Sequence, residues 1–263
     1  KHWSRGLGDV YKRQGLGSGE DASGSGDGDV GILPLAVRGI FRRIRNTPNR
    51  EFLLRMSYME IYNEDIIDLL AQSAEGPSGS KNGESGRRLL VKERANGGGP
   101  YVCGLREEIV RTEAEVAGWL DRGDRHRHVG ETKMNRNSSR SHTLFQMVIE
   151  SRLPGGGAAE GDGDGAVLVS KLTLVDLAGS ERLSKTLAEG KRAKEGAYIN
   201  KSLLTLGTVI NKLSEGQHRH IPYRDSKLTR ILQTALGGNS KTAMITNVTP
   251  SVLHTDETHS TLR

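Results

Sequence analysis

The chain has 263 residues, 34% of them hydrophobic and 4% aromatic, with 34 glycines, one cysteine and a formal net charge of +6. That length suffices for one large domain with a sizeable core, and the lone Cys103 excludes an intrachain disulfide, which fits a reducing compartment. No run of eighteen apolar residues offers a membrane-spanning helix, and the charge excess points to an acidic partner: nucleic acid, an anionic membrane or an acidic protein polymer.

Residues 1–30 show neither helical nor strand periodicity, carry charges where a signal peptide would be apolar, and end in a Gly/Ser/Asp run. They are expected to be a non-native or disordered segment, with the domain proper over 31–263. From there Ile32, Leu33, Leu35, Ala36, Ile40, Phe41 and Ile44 mark one face of a helix. Residues 52–61 predict a buried strand, leading into 63–70 as a short helix or turn. Strands are expected over 89–93 and 102–110, around the turn at Gly97–Gly99 and Pro100. A capping box of Thr112 and Glu115 opens a helix over 112–121 with Val116, Trp119 and Leu120 as its apolar residues.

Strands over 143–151 and 167–176, separated by a Gly/Asp-rich loop, predict a hairpin feeding a central sheet. Apolar residues at 199, 203, 206, 210 and 213 give a helical stripe over 198–213. Another helix is expected over 227–236 and a last strand over 242–248. Strands interleaved with helices predict an α/β domain around a mixed sheet.

Two segments carry chemistry. In LTLVDLAGSE (172–181) an apolar strand delivers Asp176 at its carboxyl end, followed by Gly179. A carboxylate so placed can hold a magnesium-bound water, and a glycine lets its backbone N–H approach a γ-phosphate without an intervening Cβ. Alone, D-x-x-G also fits a strand ending in a tight turn. In NRNSSRSH (135–142) two hydroxyls, an amide and a guanidinium can ligate Mg²⁺ and contact a phosphate, although the segment alone also fits a capped surface turn. Arg140 and Glu181 offer opposite charges, one on each loop.

Taken together, the two segments resemble switch I and switch II of the kinesin family. GAYINKSLLTLG (196–207) is similar to the family's switch II helix, and IPYRDSKLTR (221–230) to its main microtubule-binding loop and helix. SYMEIYNED (57–65) and HVGETKMN (128–135) look like the subfamily related to centromere protein E. The resemblance spans residues 31–263. It implies a kinesin-type P-loop NTPase fold, a central mixed sheet flanked by helices and incomplete at both ends, that couples hydrolysis of ATP with Mg²⁺ to movement along microtubules. Ser139 would ligate Mg²⁺, Asp176 would hold it through water, and Asn135 and Ser138 would contact phosphate. Gly179 would sense the γ-phosphate, and a bridge between Arg140 and Glu181 would position the attacking water. Closing or opening that bridge would move the 198–213 helix.

Basic residues Lys185, Lys191, Arg192, Lys194, Arg219, Arg224, Lys227 and Arg230 would meet the acidic track, although such runs are also ordinary solvated faces. The resemblance places the protein in the cytoplasm on the microtubule cytoskeleton, with spindle or kinetochore as the finer placement, and implies no nucleic-acid or membrane partner. Without heptads here, dimerisation would need segments outside these residues.

The sequence departs from the family at the phosphate-cradling loop: G-x-x-x-x-G-K-[ST] does not occur. The nearest match, GGNSKT (237–242), lacks glycine before its lysine and reads as a helix cap and turn. This leaves a non-catalytic microtubule-binding module as the alternative, with the fragment itself expected to be inactive. A GTP-dependent switch lacks support, because NKSL (200–203) and NKLS (211–214) both miss the aspartate of N-K-x-D. A nucleic-acid binder rests on charge alone.

Overall fold

The computed structural model describes residues 31–71, 89–95, 97–129, 140–154, 166–179, 191–216 and 220–262, without the side chains of 191–200, 257 and 260. The chain divides into two compact units, Lys1–Leu90 with Cys103–Ala178, and Val91–Val102 with Gly179–Arg263. The α/β architecture expected from the sequence is present, and residues 1–30 and 155–165 lie outside the described residues.

The first unit is a sheet covered on one face by two helices. Strand β1 (Glu51–Tyr62) is long enough to pair with β6 (His142–Arg152) along one edge and with β5 (Glu108–Val110) and β2 (Asp65–Asp68), end to end, along the other. Strand β7 (Leu168–Asp176) pairs with β6, giving the order β2-β1-β6-β7, and all these pairings are antiparallel. The register sets Met56 opposite Met147 and Tyr58 opposite Phe145, so alternate residues of neighbouring strands share the helix-covered face.

Helix α1 (Ile32–Arg45) buries Val37 and Phe41 against that face, with Leu33, Ile40 and Ile44 beside them. Ile32 and Leu35, expected on the same stripe, are exposed because they fall outside its arc of about 100°. Three arginines in the last turn, Arg42, Arg43 and Arg45, sit where the helix dipole favours positive charge. Helix α2 (Glu113–Val129) adds Val116 and Leu120 to the core and runs beyond the expected 121. Its cap is a capping box shifted by one residue. The Glu115 amide donates to Thr112 Oγ1 (3.1 Å), while the Glu115 carboxylate accepts from the Arg111 amide (2.7 Å) rather than from Thr112.

Two expectations change here. Of the short helix or turn expected over 63–70, the turn is present and the helix is not: Asn63 (φ 52°) and Glu64 (φ 60°) form a two-residue hairpin turn of the type whose twist suits antiparallel strands, and β2 follows at Asp65–Asp68. The expected strand over 102–110 is two strands, β4 (Pro100–Cys103) and β5, parted at Gly104 (φ 81°). After that turn Asp68 Oδ2 accepts from the Arg106 amide at 2.7 Å, which fixes the new direction of the chain.

In the second unit β3 (Leu90–Glu93) and β4 form a hairpin. Helix α3 (Lys191–Ser214) buries Ser202, Thr205, Leu206 and Val209. The expected helix over 227–236 is two short ones, α4 (Lys227–Ile231) and α5 (Gln233–Gly237), joined through a bend at Leu232 (φ −85°, ψ 0°) that buries both Ile231 and Leu232. Gly237 closes α5 as expected. Its cap residue Gly238 is extended, and a Cβ there would meet Thr234 O at 2.4 Å.

The strand expected over 242–248 does not form. Residues 239–250 have neither helix nor strand, and Met244, Ile245 and Val248 are exposed. A strand needs a neighbour to take its N–H and C=O groups, and no described strand pairs with this segment. Helix α6 (Thr255–Leu262) follows a 3-10 turn at Val252–His254.

Candidate functional site

Antiparallel pairing brings the start of β6 and the end of β7 to the same end of the sheet, where Thr143 is the register partner of Asp176. The described ends of the two segments, Arg140–His142 and Asp176–Gly179, therefore meet the sheet at that same end. A second contact fixes them: the Ala178 amide donates to His142 Nδ1 at 3.0 Å. His142 is buried, and burial lowers its pKa to about 4, so the ring is neutral at pH 7 with Nδ1 free to accept. Protonation would set a donor against the amide donor.

Asp176 also lines a cleft in the first unit with Tyr58, Asp124, Arg127, Thr143 and the start of α1. Tyr58 donates to Asp124 Oδ1 at 2.9 Å, and burial first, then the Asp124 charge, raises the phenol above its ordinary range. Gly123 makes this approach possible, because a Cβ there would lie 2.5 Å from Tyr58 Cδ1. Arg127 is 3.5 Å from the Glu60 carboxylate and donates to Ser141 Oγ at 3.3 Å, tying α2 to β1 and to the residue before His142. Thr143 Oγ1 is buried without a hydrogen-bond partner among the described residues.

Sequence reasoning missed Tyr58, Glu60, Asp124, Arg127 and Thr143. The signal was faint: Arg127 lies one helical period beyond Gly123 and Asp124, on the face that packs the sheet. Among the described residues no group of three His, Cys, Asp or Glu side chains could hold a metal. The donors that do meet, the Asp176 carboxylate and the unfilled Thr143 hydroxyl, are hard oxygens suited to a hard cation such as Mg²⁺.

Of the residues singled out from sequence, Arg140 is half-buried and directly precedes Ser141, and Gly179 is half-buried after Ala178. Asn135, Ser138, Ser139, Glu181, Lys185 and Arg219 lie outside the described residues, and so does any contact between Arg140 and Glu181. Lys191, Arg192 and Lys194 fall in the first turns of α3, where side chains are not described. Arg224, Lys227 and Arg230 are described together, in the 3-10 turn Tyr223–Asp225 and in α4. Ser226 caps that helix by accepting from the Leu228 amide at 3.2 Å, and Thr229 Oγ1 donates back to Tyr223 O at 2.8 Å.

A family description, kinesin motor domain, matches residues 17–263. The rice (Oryza sativa subsp. japonica) kinesin-like protein KIN-7I is 54% identical over 257 residues, covering 97% of this chain and 20% of that protein. KIN-7O of Arabidopsis thaliana is 55% identical over 238 residues, covering 89% of this chain and 18% of that one. Among solved structures, a fast kinesin superposes with TM-score 0.75 at 44% identity, covering 90% of this chain and 61% of the other. A KIF14 dimer carrying AMP-PNP in complex with a microtubule gives TM-score 0.76 at 42% identity, covering 89% and 63%. The chain thus spans about a fifth of the length of these curated relatives.

Proposed function

The chain belongs to the kinesin motor-domain family, and on that premise we propose that it is the switch and track-binding part of a microtubule motor that hydrolyses ATP. The observation that carries this reading is the pairing of Thr143 with Asp176, reinforced by the bond from Ala178 to His142. It brings His142 and Asp176, the described ends of the two signature segments, to one end of one sheet, which supports a shared nucleotide pocket.

In this reading Ser139 and Asp176 hold Mg²⁺, the latter through water, and Asn135 and Ser138 contact the phosphates. Bound Mg²⁺·ATP supplies the cleavable γ-phosphate and the free energy released on hydrolysis. The chain's own residues do the rest. Arg140 and Glu181 close over the pocket and position a water, and the Gly179 amide reports whether the γ-phosphate is there. The neutral His142 keeps the Ala178 amide fixed beside these groups, so that displacement of the acidic turn is passed to α3.

Lys185, Lys191, Arg192, Lys194, Arg219, Arg224, Lys227 and Arg230 present positive charge to tubulin. The microtubule named for the KIF14 structure supports a microtubule partner and a site on the cytoplasmic cytoskeleton, whereas the centromere-protein-E-related placement, with spindle or kinetochore work, rests on the motifs SYMEIYNED (57–65) and HVGETKMN (128–135).

The test is microtubule-stimulated ATP turnover of the full-length protein. Arg140→Ala and Asp176→Asn are expected to lower it by about 100-fold, the order found when one charge-stabilising group is removed from a catalytic site. Wild-type turnover in both variants would overturn the proposal. A second reading, a non-catalytic microtubule-binding module, is favoured by the missing G-x-x-x-x-G-K-[ST] segment. It predicts that the 263-residue polypeptide sediments with microtubules, shows no stimulated turnover, and binds equally with and without nucleotide.

A further inference from the structure

Resting on the track-binding reading of Arg224 and Arg230, we propose that Glu93 is a built-in counter-ion that competes with the acidic microtubule surface for these two arginines and so limits track affinity. One Glu93 carboxylate oxygen lies 3.6 Å from Arg224 and 3.4 Å from Arg230, within the second unit. The two positive charges offered to the track therefore face a negative charge already in place.

The hairpin holds that charge firmly. The Arg94 amide donates to Gly99 O at 3.2 Å to close the turn, and the Arg94 guanidinium lies over the Tyr101 ring at 5.5 Å. Gly99 adopts φ 76° and packs on α5 so tightly that a Cβ would sit 2.5 Å from Thr234 Cγ2. Glu93 at the end of β3 is thereby held beside α4, and Arg230 is held from below by the buried Leu228, Thr229 and Ile231.

The contact is nonetheless built to exchange. The Arg224 and Glu93 side chains are 74% and 42% exposed, a setting in which water screens the attraction and an ion pair contributes little. Arg230 is 27% exposed, so part of its side chain stays open to solvent beside Glu93. A second carboxylate, from an acidic polymer surface, can share or displace Glu93 at little cost to the fold. Glu93 also sets specificity, because a weakly acidic surface does not outcompete it and a densely acidic one does.

The experiment is equilibrium co-sedimentation of the full-length protein with microtubules at low and moderate salt, comparing wild type with Glu93→Gln, Arg224→Glu, Arg230→Glu, and Glu93→Gln combined with Arg224→Ala and Arg230→Ala. Glu93→Gln is expected to bind roughly three- to tenfold more tightly, with a steeper salt dependence, and the gain should vanish in the triple variant. The glutamine keeps the shape of an exposed side chain, so the melting temperature should not move. If Arg230→Glu weakens binding while Glu93→Gln binds as wild type or more weakly, the counter-ion role is wrong and the track reading stands. A gain that persists in the triple variant would make Glu93 a general charge effect and overturn the role. Wild-type binding by both charge-reversed variants would overturn the track reading itself.

Discussion

Each of the two compact units holds an arginine against a glutamate, and the two contacts do opposite jobs. In the first unit Arg127 meets Glu60 at 3.5 Å with side chains only 7% and 14% exposed, and the arginine also donates to Ser141. In the second, Glu93 meets Arg224 and Arg230 at similar distances but largely in water. Distance alone would rank them alike. Solvent exposure separates them: a buried carboxylate that loses its partner has nothing to replace it, whereas an exposed one is solvated at once. The buried pair fixes where β6 begins, and hence where the serine-bearing segment leaves the sheet. The exposed pair is free to trade partners.

Four measurements can break that contrast or sharpen it. The largest effect is expected for Arg127→Met, which strands the Glu60 carboxylate and should cost about 3–5 kcal/mol in denaturant unfolding. A loss below about 1 kcal/mol would mean that the pair is as dispensable as a surface one.

Next comes the titration of His142. Its folded pKa, about 4, lies below the ordinary 6.5, so the unfolded chain takes up a proton as pH falls through that window and the folded one does not. Stability is full above pH 6.5, falls by about 3 kcal/mol toward pH 4 and gains no further penalty from this group below it. His142→Asn keeps an acceptor for the Ala178 amide and cannot titrate. The difference between its pH–stability curve and the wild-type one should therefore follow that window, and parallel curves would dismiss the assignment.

A smaller effect is expected for Ser226→Ala, about 1 kcal/mol, because α4 has five residues and its cap accepts from the Leu228 amide. If the loss is absent, packing of Leu228 and Ile231 alone positions Arg230. Glu93→Ala should change stability least, by less than about 1 kcal/mol, even though it removes the carboxylate from two arginines. A loss as large as that of Arg127→Met would erase the distinction between the two contacts.

Much of the fold was legible in the sequence where local pattern and burial agree. The apolar runs of β1 and β6, the stripe in α1 and the Thr112–Glu115 cap all correspond to observed elements. Sequence reasoning failed where backbone conformation or a partner decides. Asn63 and Glu64 adopt left-handed geometry, which settles the expected helix or turn as a hairpin turn leading into a strand. Residues 242–248 have strand-forming side chains, but no described strand pairs with them. In the cleft, Asp176 was singled out through the motif that contains it, while Tyr58, Asp124 and Arg127 were not, because their places there arise from contacts between distant segments.

The sequence by itself determined the family, through long ordered motifs, and the faces of helices and strands, through the period of their apolar residues. Tertiary structure alone decided that His142 is neutral, that Thr143 stands beside Asp176 and that one glutamate faces both Arg224 and Arg230. Periodicity is a property of neighbours along the chain. Desolvation and charge pairing depend on which distant groups folding brings within a few ångströms.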